Sequence, residues 1–99
     1  MYQSVFRGGI FAGQTLIITG GGSGIGRCTA HELASLGAKV LITGRKQEKL
    51  DKVVAEITED GGSVAAYAVD IRDEDAVKTA VKTMLAQHGQ IHGLVNNAG

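Results

Sequence analysis

The strongest constraint on this chain is the run Thr19-Gly20-Gly21-Gly22-Ser23-Gly24-Ile25-Gly26, which follows the apolar stretch Thr15-Leu16-Ile17-Ile18 and opens a helical pattern. A strand, a glycine turn and a helix start, in that order, form the local geometry that receives a pyrophosphate. Gly20 is expected to turn the chain sharply off the strand. Gly24 and Gly26 are expected to remove side chains so that backbone and phosphate approach closely. The helix that follows offers unpaired N–H groups and the positive end of its dipole. The spacing Gly20-x-x-x-Gly24-x-Gly26 departs from a strict G-x-G-x-x-G, but the physical requirements are the same. Five glycines between Gly20 and Gly26 exceed what packing a helix on a strand is expected to need, which favours a ligand.

Apolar runs and helical patterns alternate along the rest of the chain, which predicts an α/β fold with a parallel sheet. Strands are expected at 15–19, 39–43, 63–69 and 91–95, and helices at 24–36, 47–59 and 73–87. Gly37 ends the first helix. In the second, Leu50, Val53, Val54 and Ile57 share one face, while Glu48, Lys52 and Glu56 line the other at i, i+4 spacing. Asp73 is the expected N-cap of the third, whose stripe is Val77, Ala80, Val81, Met84 and Leu85. The implied architecture is a Rossmann-like, doubly wound parallel sheet, β-α-β-α-β-α-β with strand order 3-2-1-4. Its fourth strand would present a bare apolar edge, which natural sheets avoid. Residues 1–99 therefore read as one portion of a longer single-domain protein.

Ninety-nine residues bound the chain to one domain. Ten basic and ten acidic residues cancel, so no charge excess suggests nucleic acid or an anionic membrane as partner. The apolar runs are too short to span a bilayer. The first 14 residues hold one basic residue, Arg7, and no long apolar core, a poor match to a signal peptide. The lone Cys28 fits a reducing compartment and a packing role, so a cytoplasmic setting is expected. His31, His88 and His92 lack metal-ligand spacing, and no metal is expected. His88 sits near the end of the third helix, where its charge suits the dipole.

The end of the second strand carries specificity information. A ribose with a free 2′-hydroxyl is usually held there by Asp or Glu, roughly 20 residues past the glycines. This chain has Thr43-Gly44-Arg45-Lys46, with no acid before Glu48. Arg45 suits a 2′-phosphate and Lys46 adds charge. Two cations oppose the dipole of the helix that starts there, so an anion is expected nearby. These residues favour NADP(H) over NAD(H).

The glycine run, Arg45 and the final Asn96-Asn97-Ala98-Gly99 together resemble the classical branch of the short-chain dehydrogenase/reductase family, and the resemblance spans nearly the whole chain. It implies that Gly20, Ser23, Gly24, Ile25 and Gly26 line the pyrophosphate and ribose, with Ala98 and Gly99 also against the cofactor. It implies that Asp70, with Ile71, meets the adenine, that Asn96 braces the central strand beside the cofactor, and that Arg45 selects NADP. Read from the residues alone, Asp70 could instead make an Asx turn, and Asn96 could serve as a turn residue. The lead-in 4–14 and Gly44-Arg45-Lys46 are also similar to NADPH-dependent enoyl-CoA and 2,4-dienoyl-CoA reductases of the family, which implies a small-molecule substrate, with acyl-CoA one class, and a homo-oligomeric whole protein.

The family's general acid resembles a Tyr in Y-x-x-x-K. Here the residues four past Tyr2 and Tyr67 are Phe6 and Ile71, so no catalytic residue is assigned within this chain. Tyr67 reads as a core or sheet-face residue. Two other classes remain open: a dinucleotide-binding module without chemistry, and a methyltransferase-type domain, suggested by Gly22-x-Gly24-x-Gly26 but opposed by Arg45 at a place where that class needs an acid.

Overall fold

The computed structural model describes residues 11–22 and 24–96. Four strands and three helices alternate: β1 (Thr15–Thr19), α1 (Gly24–Ser35), β2 (Lys39–Gly44), α2 (Gln47–Glu59), β3 (Ser63–Ala68), α3 (Glu74–His88) and β4 (Gly93–Asn96). All pairings are parallel, and the sheet order is β3-β2-β1-β4. This is the Rossmann-like winding expected from the pattern, with element ends shifted by two residues or fewer. The last strand begins at Gly93 rather than at 91, because His92 is used differently. Its N–H donates to the Thr15 carbonyl (2.8 Å), and its Nδ1 accepts from the Thr15 N–H (2.9 Å).

The Val-Leu-Ile run of β2 is buried on both faces, as an interior parallel strand requires. Leu16, Ile18, Val40 and Ile42 pack against Ala30 and Ala34 of α1 and Leu50, Val53 and Ile57 of α2. Ile17 and Leu41 face the other way, onto Met84 of α3. Each such aliphatic side chain contributes about 1.5–3 kcal/mol by leaving water. The α1 end is closed by Gly37 N–H to the Ala34 carbonyl and Ala38 N–H to the Leu33 carbonyl, both 3.1 Å. Asp73 caps α3, its Oδ1 accepting from the Ala76 N–H at 3.1 Å.

Four expectations need correction. The α3 stripe is only partly covered: Met84 is buried, but Leu85 is 44% exposed, because α3 alone packs on its side of the sheet. Glu56 does not serve a ladder within α2. It takes a two-pronged ion pair from Arg27 of α1, and His31 Nε2 lies 3.0 Å from its Oε1. Cys28 is exposed rather than packed. His88 also does more than meet a dipole. Its Nε2 lies 2.7 Å from the Tyr67 hydroxyl, and burial, with Lys39 nearby, lowers its pKa.

The Arg27 and His31 hydrogen bonds hold the Glu56 pKa down from 4.5 to about 2. A carboxylate depressed on folding contributes stability that is complete above pH 4.5 and lost as pH falls toward 2. Because the pair is half exposed, Glu56→Gln is expected to cost only about 0.5–1 kcal/mol at neutral pH. The wild-type advantage in urea melts should shrink through that acid window; a gap constant down to the lowest pH would contradict the assignment. At the other end of the sheet, β4 is an edge with Leu94 64% exposed. The 99-residue chain expressed by itself should self-associate in sedimentation, and Leu94→Lys should shift it toward monomer. A wild-type monomer at high concentration would refute this.

Candidate functional site

The glycine turn serves two purposes, and the larger one is internal packing. Gly20 and Gly24 have φ of +69° and +60°, a region side chains avoid. The other three meet the protein itself. A Cβ on Gly26 would stand 2.0 Å from the Gly20 carbonyl oxygen, one on Gly21 would stand 2.6 Å from Ile42 Cβ, and one on Gly22 would stand 3.2 Å from Lys49 Cβ. Gly26 thus lets α1 dock on the turn after β1, where the sequence pattern assigned it to phosphate approach. The high glycine count is met largely by packing, because β1, β2, α1 and α2 all converge on this turn.

An open cavity of about 590 Å³ lies beside it, at the C-terminal ends of β1, β2 and β3. Gly20 and Gly22 form one wall. Gly44, Arg45 and Lys46 form the second, with Lys49 and Leu50 of α2. Val69, Asp70, Ile71 and Arg72, which follow β3, form the third. The cavity thereby gathers five of the residues singled out in the sequence: Gly20, Arg45, Lys46, Asp70 and Ile71. Gly24, Ile25 and Gly26 sit at the start of α1, with Ile25 76% exposed. Asn96 stands on the other side of β1, its Oδ1 accepting from the Thr19 hydroxyl at 2.9 Å, which ties β4 to β1. Ser23, Ala98 and Gly99 lie outside the described residues.

The site is electrostatically unbalanced. Lys46 is the N-cap of α2 and supplies no side-chain acceptor, so the first turn of that helix keeps bare N–H groups. Among the described residues, the side chains of Arg45, Lys46 and Lys49 make no hydrogen bond or ion pair. Arg72 is committed: its Nη2 lies 2.8 Å from Asp70 Oδ2, and its backbone N–H donates to Oδ1 at 3.0 Å. This is an Asx turn closed by an ion pair. The Arg72 contacts, helped by the charge of Arg45, bring the Asp70 pKa down to about 2. Thr43 is 4% exposed, lines the same cavity, and leaves its Oγ1 without a partner.

One transverse row of the sheet explains the polar rim. Asn96, Thr19, Thr43 and Tyr67 are register partners across β4, β1, β2 and β3. The row behind it, Val95, Ile18, Ile42 and Ala66, is wholly apolar. Strand pairing builds this polar edge from residues scattered over the sequence, and no local pattern reveals it. Thr43 escaped the sequence reading for that reason, and Lys49 and Arg72 because only the docking of α2 and of the segment after β3 brings them to the cavity.

A model of short chain dehydrogenases matches residues 14–99. A short chain dehydrogenase of Pseudocercospora fijiensis is 43% identical over 91 residues, covering 92% of this chain and 29% of its own length. A probable 2,4-dienoyl-CoA reductase of Bacillus subtilis is 38% identical, over 86% of this chain and 34% of its own. Among solved structures, the citronellol catabolism dehydrogenase of Pseudomonas aeruginosa PAO1 superposes with a TM-score of 0.96 at 67% identity, over 99% of this chain and 41% of its own. A metagenomic short-chain oxidoreductase in complex with NADP gives 0.87 at 43% identity, over 90% of this chain and 40% of its own. The chain thus spans about a third of the length of these curated relatives. With a family match running from the start of β1 to the final glycine, the chain belongs to the short-chain dehydrogenase family.

Proposed function

We propose that this chain is the NADP(H)-binding portion of a short-chain oxidoreductase acting on a carbonyl, an alcohol or an enoyl thioester. The carrying observation is the cavity beside the glycine turn, which bears Arg45, Lys46 and Lys49 and has no acid at the end of β2. An NAD site needs a carboxylate there for the 2′-hydroxyl; a row of cations suits a 2′-phosphate. The residues fit the group. The turn and the start of α1 would hold the pyrophosphate on backbone N–H groups. Arg45 and Lys46 would hold the 2′-phosphate, and Ile71 and Asp70 would flank the adenine. The nicotinamide supplies the hydride chemistry when bound.

The chain's own residues bind and orient. The Thr19–Asn96 hydrogen bond keeps β4 beside β1, which sets the sheet edge on which the reactive end would lie. Arg72 holds the Asp70 carboxylate ionised and fixed, leaving lone pairs to accept from an adenine amino group. A proton donor for the substrate is not among these residues. The similarity to dienoyl-CoA and other family reductases supports an acyl-CoA or other small carbonyl substrate; a homo-oligomer for the whole protein is part of the same proposal.

The alternative reading is a dinucleotide-binding module without chemistry. The intact mass of the natural protein separates the two. A mass well above 10.3 kDa, with a Tyr-x-x-x-Lys in the added sequence, supports the enzyme; a mass equal to it supports the module. Arg45→Asp tests the cofactor assignment. It should weaken NADPH binding by about 1–3 kcal/mol, through loss of a charged partner and gain of a repulsion, and should weaken NADH much less. Unchanged NADPH affinity in a fluorescence titration would remove this reading.

A further inference from the structure

Lys49 is the cation of the cavity that neither the glycine motif nor the end of β2 accounts for. Its position is built. Gly22 has no side chain, and the Cβ it lacks would stand only 3.2 Å from Lys49 Cβ, so the first turn of α2 leans directly on the glycine turn. Leu50, fully buried next to it, anchors that turn of the helix in the core. Lys49 is therefore held at the cavity by a buried neighbour on one side and a close backbone on the other, and is itself exposed.

Its charge is uncompensated. Arg72 is neutralised by Asp70, and Arg45 lies near enough to Asp70 for its charge to lower that carboxyl's pKa. Lys46 and Lys49 have no such carboxylate. Both line the cavity, Lys46 from the N-cap of α2 and Lys49 from its first turn, and like charges gathered at one site repel. Both sit at the positive end of the α2 dipole, where cations are disfavoured. Glu48, the acid of that turn, does not line the cavity. The partnerless, buried Thr43 Oγ1 on the same cavity is a further polar group lacking an occupant. Repulsion and dipole are both relieved by one species, a compact multiply charged anion at the mouth of the cavity.

We infer that Lys49 is a specificity-determining residue: with Arg45 and Lys46 it forms a three-cation cradle for the phosphomonoester on the adenosine ribose, reaching it from the α2 side. This rests on the dinucleotide reading above and adds a residue to it. A phosphomonoester carries close to two negative charges at neutral pH. Lys46 and Lys49, the two cavity cations that no carboxylate compensates, match that charge, and a ribose hydroxyl would leave them unmatched.

The test is calorimetric binding of NADPH, NADH and 2′,5′-ADP to the natural protein and to Lys49→Gln, Lys49→Met and Lys49→Arg. Glutamine and methionine keep most of the aliphatic stem and remove the charge. Both should weaken NADPH and 2′,5′-ADP by about 5–10-fold, the scale of one exposed charge-assisted contact. NADH should be unchanged, and Lys49→Arg should restore the preference. The NADPH affinity of the two neutral variants should also depend less steeply on salt. Equal losses for NADPH and NADH would show that Lys49 only props the glycine turn and would overturn the inference. Unchanged NADPH affinity would also overturn it, leaving the Arg45 reading intact. Failure of the unsubstituted protein to bind either dinucleotide would overturn both.

Discussion

The contact on which the rest of this structure depends is the approach of α1 to the turn after β1. At Gly26 the helix stands so close that an added Cβ would lie 2.0 Å from the Gly20 carbonyl oxygen. No side-chain rotation relieves a clash with backbone, so only glycine permits this docking. The docking brings Ala30 and Ala34, small residues on the same helix, onto Ile18, Val40 and Ile42. It also leaves the start of α1 beside the C-terminal ends of the strands. The cavity exists because two helices and three strands are drawn to one point by contacts too short for side chains.

The two faces of the sheet are sealed unequally. Opposite α1 and α2 the core is continuous, and Val40, Ile42, Leu50 and Val53 are fully buried. Opposite α3, among the described residues, the buried cluster is Ile17, Leu41 and Met84, while Leu85 and Leu94 stay open to solvent. Parallel sheets are stable when helices cover both faces. One helix cannot cover four strands, so this side holds the less protected apolar surface, and it adjoins the β4 edge.

Electrostatics divides the molecule in a similar way. Between α1 and α2, Arg27, His31 and Glu56 satisfy one another, and the pairing holds two helices in register on the core. Around the cavity, only Arg72 and Asp70 are matched directly, and Arg45, Lys46 and Lys49 face the open space. A protein gains nothing in stability from cations gathered at the wrong end of a helix dipole. That kind of local inconsistency marks functional sites, where fold stability yields to binding.

The sequence by itself determined the elements and their winding. The glycine run, the period of Leu50, Val53 and Ile57, and the Val-Leu-Ile run of β2 are local signals set by backbone geometry and burial, and each appears in the structure where the pattern put it. It also located Arg45, Lys46 and Asp70 at strand ends, since parallel winding brings those ends together. Tertiary structure decided what those residues touch. It turned Gly26, Gly21 and Gly22 into packing glycines, drew Glu56 to α1, engaged Asp70 with Arg72, and aligned Asn96, Thr19, Thr43 and Tyr67 into one polar row. These contacts depend on distances between segments remote in sequence, which only the register of the sheet and the docking of its helices set.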